Sequence, residues 1–167
     1  MAILPIIEAP DPILKKISKP VKVVDGYLRA LMDDMLETMY AAPGIGLAAI
    51  QVGVPKRVMV IDIHEDDEKP EPQFFVNPEI TWVSEKFNSY SEGCLSVPEQ
   101  YSMVDRPSEC SLKYLDYDGK TQEIKATGLL ATCIQHEIDH LEGILFIEHI
   151  SSLKKQMILK KLKKAKM

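Results

Sequence analysis

The chain has 167 residues, 46% of them hydrophobic, with 25 acidic and 20 basic side chains and a net charge of -5 at pH 7. That length and apolar content supply one domain with a sizeable core and leave too little chain for two, so residues 1–167 are expected to fold as a single domain. The opening MAILPIIEAPDPILKK lacks a basic start followed by a sustained apolar stretch, no later run approaches the length of a membrane span, and three cysteines cannot all pair. A membrane helix and a disulfide framework are thereby excluded, and the expectation is a soluble cytoplasmic protein with reduced thiols.

In chain order, the first helix is predicted over 25–41, where Leu28, Leu31, Met32, Met35, Leu36 and Met39 recur at helical spacing and Pro43-Gly44 ends the pattern. GIGLAAIQ, residues 44–51, follows. Its glycines permit close backbone approach and Gln51 offers an amide donor, but the phosphate-binding lysine and the full dinucleotide fingerprint are missing, so taken alone it reads as a helix-breaking turn. RVMVIDI at 57–63 and EITWVS at 79–84 are rich in β-branched and aromatic residues and are predicted strands. CSLKYLDYDGKTQEIKA, 110–126, is a hairpin candidate with Asp118-Gly119 as a two-residue turn. A second helix carries QHEIDH, 135–140, with Thr127 placed to cap it and Gly143 to close it.

Residues 151–167 hold seven lysines and no acid, so this tail carries +7 and the rest of the chain -12. A basic helix is predicted there, with Leu153, Met157 and Leu162 as a narrow apolar stripe and the lysines left to solvent. On composition alone it reads as a solvated terminal helix, while the charge asymmetry makes it a candidate for docking on a polyanion. The elements together predict an α+β fold: mostly antiparallel strands packed around a central metal-binding helix, with a C-terminal helix.

In QHEIDH, His136 and His140 are i and i+4, so their side chains leave one helical face a turn apart and can converge on one cation, with Glu137 beside them. A third ligand is required. The extended pattern that finds it downstream has Phe146 at the ligating position, Glu142 and Glu148 lie too close in sequence to swing back easily, and His149 stays open as a candidate but falls beyond the expected helix end. Cys133 shares the helical face but sits ~10 Å along the axis from His140, against metal bonds of ~2.0 to 2.3 Å. Cys110 alternates with Leu112 and Tyr114 in a predicted strand and is assigned to the core. Cys94, in EGCLS, remains. Two imidazoles and a thiolate leave a fourth position for water, the arrangement of a catalytic site.

GIGLAAIQ, EGCLS and QHEIDH, in that order, make the chain resemble the peptide deformylase family over essentially its whole length. The resemblance implies removal of the N-formyl group from the initiator methionine of nascent polypeptides, with release of formate. It implies Cys94, His136 and His140 as metal ligands, Glu137 as catalytic acid/base, and Gln51 with the Leu95 N–H as oxyanion donors. It also implies a ferrous ion where residue chemistry alone favours zinc, with zinc, nickel or cobalt as substitutes. By resemblance and helical spacing, Gly44, Gly46 and Gly93 crowd the formyl group, and Ile45, Leu129, Thr132 and Cys133 line a methionine-sized pocket. The length and helical tail are similar to the Gram-negative type, although Tyr101 stands where that type often has an arginine. For the tail, the resemblance implies docking near the ribosomal tunnel exit, with no membrane partner and no sequence-specific nucleic-acid binding. Two other readings stand beside it: a general metallopeptidase, and a non-catalytic ribosome or nucleic-acid binder that would leave Glu137 and Gln51 without a role.

Overall fold

The computed structural model describes residues 2–65 and 67–166. Helix α1 (Gly26–Ala41) begins where Asp25 accepts a hydrogen bond from the Leu28 N–H at 2.9 Å, which satisfies one of the free amides of the first turn. Its buried Leu28, Met32, Met35 and Met39 form a stripe that packs against Leu47, Val58, Val60 and Val76. The chain then runs through β1 (Gly46–Ala48), a 3-10 turn (Ala49–Val52), β2 (Val58–Ile61) and β3 (Gln73–Val83). Next come β4 (Phe87–Cys94), β5 (Val97–Pro107), β6 (Glu109–Leu115) and β7 (Thr121–Thr127), which leads directly into α2 (Gly128–Leu141). A further 3-10 turn (Phe146–His149) precedes α3 (Ser152–Ala165). This is the expected α+β fold. Every strand pair is antiparallel, in a five-stranded sheet of order β1-β2-β3-β6-β7 and a separate β4-β5 ribbon.

Strand β2 is buried on both faces, because alternate side chains of a strand point to opposite sides. Met59 and Ile61 face the core that contains Ala131, Ile134 and Leu141 of α2, while Val58 and Val60 face α1. The helix predicted to bind metal is therefore seated on one side of the sheet and the helix that leads into the glycine loop on the other. A third cluster joins Val97 and Val104 of the ribbon to Phe146, Ile147 and the inner face of α3.

Four local expectations are corrected. The strand expected at 79–84 is the last part of β3, which begins at Gln73. Pro78 and the positive φ of Asn77 (50°) hid its first half, and the register shifts there between Val76 and Glu79. The β6-β7 connection is longer than two residues: Asp116 N–H donates to the Lys120 carbonyl at 2.9 Å, and Gly119, with φ 83°, takes the left-handed position of the loop. Thr127 occupies the N-cap of α2 but its hydroxyl makes no capping bond, whereas Gly143, at φ 76°, closes the helix as expected. In α3 the buried pair is Ile158 and Leu162, while Leu153 and Met157 are 72% and 52% exposed. Met157 and Leu162 are five residues apart, which puts them on different faces of a helix, so Leu153, Met157 and Leu162 cannot form one stripe. The lysines of α3 divide as well: Lys155 pairs with Glu148 at 2.8 Å, and Lys154, Lys160, Lys161, Lys163 and Lys164 are exposed.

Candidate metal centre

Helix α2 presents His136, Glu137 and His140 toward the β4-β5 ribbon, and Cys94 ends β4 facing them. One donor atom from each of Cys94, His136 and His140 lies within 4.8 Å of the others, and Cys94 Sγ is 3.3 Å from His140 Nε2. The sulfur also lies 3.4 Å from the Ser96 N–H and 3.5 Å from Gln51 Nε2. Gln51 is 1% exposed and its amide is fixed at both ends, with Oε1 accepting from the Ala48 N–H at 2.9 Å and Nε2 donating to Ser96 Oγ at 3.0 Å. Cys110 and Cys133 stay outside the donor set: Cys110 is in the core, and Cys133 lines the cleft described below.

A carboxylate network that the motifs did not disclose holds the trio from behind. Glu92 Oε1 is 2.9 Å from His136 Nδ1, and both Glu92 oxygens take the Arg106 guanidinium, at 2.7 and 3.0 Å. Arg106 reaches on to Asp139 at 2.8 Å, which also lies 2.8 Å from His149 Nε2. Occupation of Nδ1 by Glu92 directs His136 Nε2 toward Cys94, the usual way a ligating imidazole is oriented. Burial alone would raise the Glu92 pKa, but the bonds to His136 and Arg106 outweigh it and hold the carboxyl below its usual range. Burial also opposes protonation of His136, yet Cys94 and Glu92 outweigh it and raise its pKa well above the ordinary imidazole range, so binding of an ion displaces a proton from this ring. Burial and the positive charge of His136 and Arg106 hold His140 well below that range, so it is a neutral donor.

The centre opens on a cleft of about 820 Å³. Gly44, Ile45, Gly46, Gln51, Gly93, Cys94, Leu95, Leu129, Thr132, Cys133, His136 and Glu137, all singled out in the sequence, line it, together with Ile6, Glu8, Tyr90, Glu92 and Tyr101. His140, fully buried, lies beneath its floor. Gly46 is required here, because a Cβ would stand 2.7 Å from Glu137 Oε2. At Gly44 a Cβ would come within 2.8 Å of Leu95 Cδ1, and at Gly93 the Tyr101 ring covers the space a side chain would take. Tyr101 is 71% exposed, at the rim.

The donor chemistry fits one divalent ion. Thiolate and imidazole are borderline-soft ligands, and the buried Glu137 Oε1, with no hydrogen-bond partner, lies 4.0 Å from His140 Nε2, where a carboxylate can serve a water at the fourth position. Burial pushes the Glu137 carboxyl up to about 7, against the pull of His136 and Arg106. Two imidazoles and a thiolate on one side of a cleft, with a carboxylate of raised pKa beside them, define the class as a mononuclear metallohydrolase.

The family follows from comparison with known proteins. Residues 3–156 match the family model described as polypeptide deformylase. The chain is 60% identical to the peptide deformylase of Pelagibacter ubique, covering 99% of this chain and 96% of that one. It is likewise 60% identical to the Phenylobacterium zucineum peptide deformylase, covering 98% and 97%. Among solved structures, the Legionella pneumophila peptide deformylase superposes with a TM-score of 0.92 at 48% identity over 99% and 96% of the two chains. The Ehrlichia chaffeensis enzyme, in complex with actinonin, superposes with a TM-score of 0.95 at 43% identity over 99% and 98%. The chain belongs to the polypeptide deformylase family, the enzymes that remove the N-formyl group from newly made polypeptides.

Proposed function

We propose that the cleft binds the formyl-methionyl end of a nascent polypeptide, that Cys94, His136 and His140 hold one divalent ion, ferrous in the cell, and that Glu137 moves the proton. The observation that carries this reading is the Glu137 carboxylate: buried in the cleft wall, without a hydrogen bond at Oε1, next to His136 in the chain and 4.0 Å from His140 Nε2. A divalent ion held by the three donors supplies Lewis acidity, which lowers the pKa of a water and polarises a carbonyl. Glu137 accepts the proton of the attacking water and returns it to the departing amine, and its raised pKa suits both halves of that task. Gln51 Nε2, held beside the sulfur, and the Leu95 N–H donate to the oxygen that gains charge, each contributing a few kcal/mol, roughly, when aimed in advance.

Selection of formyl over longer acyl groups follows from crowding. Gly44, Gly46 and Gly93 let backbone close around the reacting carbon, which bears only hydrogen in a formyl group. Ile45, Leu129, Thr132 and Cys133 receive the methionine side chain. The following residues leave past Tyr101 at the rim. The exposed lysines of α3, joined by exposed Leu153 and Met157, serve as the surface that meets the ribosome in the cytoplasm.

The test is formate release from a formyl-Met peptide, with metal content measured on anaerobically purified protein. Turnover of the formylated peptide and not of its unformylated counterpart is expected. Glu137→Ala is expected to retain the ion and lose at least about a hundredfold in rate. Wild-type turnover by that variant, or cleavage of unformylated peptides, would overturn the reading.

A further inference from the structure

Asp62 lies just beyond β2 and outside the cleft lining, yet its side chain is fully buried and gathers four contacts. The Tyr40 hydroxyl donates to Oδ2, His64 Nδ1 lies 2.8 Å from Oδ1, and the Glu71 N–H donates to both oxygens, at 3.2 and 3.1 Å. Burial would raise the Asp62 pKa, but these bonds prevail and keep it below the usual carboxylate range. At the same residue the backbone N–H donates to the Ile45 carbonyl at 2.9 Å. Tyr40 is in the last turn of α1, immediately before the segment that becomes the cleft wall. One residue thus fastens that segment at two points, just before its start through the carboxylate and at Ile45 through the amide.

The fastened segment is Pro43 to Gly46, and its placement matters by geometry already described. Gly46 abuts the Glu137 carboxylate, Gly44 abuts Leu95, and Ile45 faces the cleft. We propose that Asp62, with Tyr40, is a positioning residue for deformylation: it sets where the Gly44–Gly46 wall stands against Glu137 and Leu95, and so how closely the formyl carbon is held. The inference rests on the assignment of the cleft as the formyl-peptide site. Tyr117 supplies a control, since its hydroxyl bonds Asp33 of the same helix, at 3.1 and 3.2 Å, and Tyr117 does not line the cleft.

The experiment compares Tyr40→Phe, Asp62→Asn and Tyr117→Phe for thermal midpoint, bound metal, steady-state kinetics on a formyl-Met peptide, and hydrogen exchange of the amide at position 62. Tyr40→Phe is expected to lower kcat by about tenfold through misplacement of the wall. Its metal content should be unchanged and its midpoint shift no larger than that of Tyr117→Phe. Its amide at position 62 should exchange faster, whereas Tyr117→Phe should match the wild type in rate and exchange. Asp62→Asn, which keeps the shape and loses the charge, should fall in the same direction. Wild-type kcat in both Tyr40→Phe and Asp62→Asn, or an activity loss in Tyr117→Phe equal to theirs, would overturn the proposal. Unchanged exchange at position 62 in Tyr40→Phe would overturn it without reference to any activity, so its failure is separable from failure of the functional reading.

Discussion

Replacing Glu92 by Ala strikes the metal centre without touching a ligand. The Glu92 and Arg106 side chains are each 5% exposed, and among the described residues Glu92 supplies two of the guanidinium's three carboxylate contacts and the one to His136 Nδ1. Removal of one member of a buried pair leaves the other charge uncompensated, at a cost of about 3–5 kcal/mol. Asp139, 2.8 Å from Arg106, still neutralises part of that charge, so about 3 kcal/mol is the expected loss. Glu92→Gln keeps the volume and one neutral bond to the guanidinium; since bonds to charged groups contribute about 1.5–3 kcal/mol, a loss of about 2 kcal/mol is expected. Loss of the His136 orientation should weaken the metal by about 10- to 100-fold in either variant. Urea unfolding of the metal-free protein, which carries no metal-binding contribution, and competition with a calibrated chelator measure the two quantities separately. A Glu92→Gln protein with wild-type metal affinity and a stability within about 0.5 kcal/mol of the parent would refute the reasoning, because a network that orients the ligand cannot be silent in both.

The remaining predictions concern thiols, acid and the tail. In metal-free protein a thiol reagent at mild alkaline pH should modify Cys94 first: burial pushes the Cys110 thiol up to about 11, and burial with the nearby Glu137 charge raises Cys133 further. Cys94→Ala should abolish stoichiometric metal and Cys110→Ala should not; equal loss in the two would assign the wrong sulfur. Because the folded Asp62 pKa lies below its unfolded value, its contribution to stability is present above the unfolded pKa and disappears as pH falls through the folded one. The stability gap between wild type and Asp62→Asn should therefore be full at neutral pH and close below about pH 4, and a gap independent of pH would refute it. Since Ile158 and Leu162 anchor α3, the proposed ribosome contact is better tested by changing Lys154, Lys160, Lys161, Lys163 and Lys164 to Gln than by truncation. Ribosome affinity and its salt dependence should both fall while hydrolysis of a short formyl-Met peptide persists; unchanged binding would reduce α3 to a solvated helix.

What the sequence disclosed follows from where the signals are local. The spacing of Leu28, Met32, Met35 and Met39 is a property of one segment, and α1 was legible from it. His136 and His140 declared themselves by a one-turn interval, and Cys94 followed by elimination, Cys133 on reach and Cys110 on its place in an apolar strand face. The β4-β5 ribbon was less visible as strands: its inward positions include Glu92 and Arg106, which are buried only because they pair, so the apolar alternation that marks a half-buried strand is broken there. No local pattern announces a pairing between residues on separate strands. One clue existed, since Glu92 is two residues before Cys94 and so shares its face of the strand. The misread stripe of α3 was an error of angle, for Ile158 with Leu162 at an i, i+4 interval was available in the same segment.

Strand β2 gives the cleft an all-or-none character. Val58–Ile61 is the shared spine of two leaves, one bearing the imidazoles on α2 and the other leading from α1 into the glycine wall, and the spine is four residues long. Each leaf also packs on neighbouring strands, α2 on Phe75, Cys110 and Leu112 and α1 on Leu47 and Val76, but all of these belong to the one five-stranded sheet that β2 joins. Heat or denaturant should therefore not yield a species that keeps its metal ligands aligned while the substrate wall is loose; the two halves of the catalytic cleft melt as one cooperative unit.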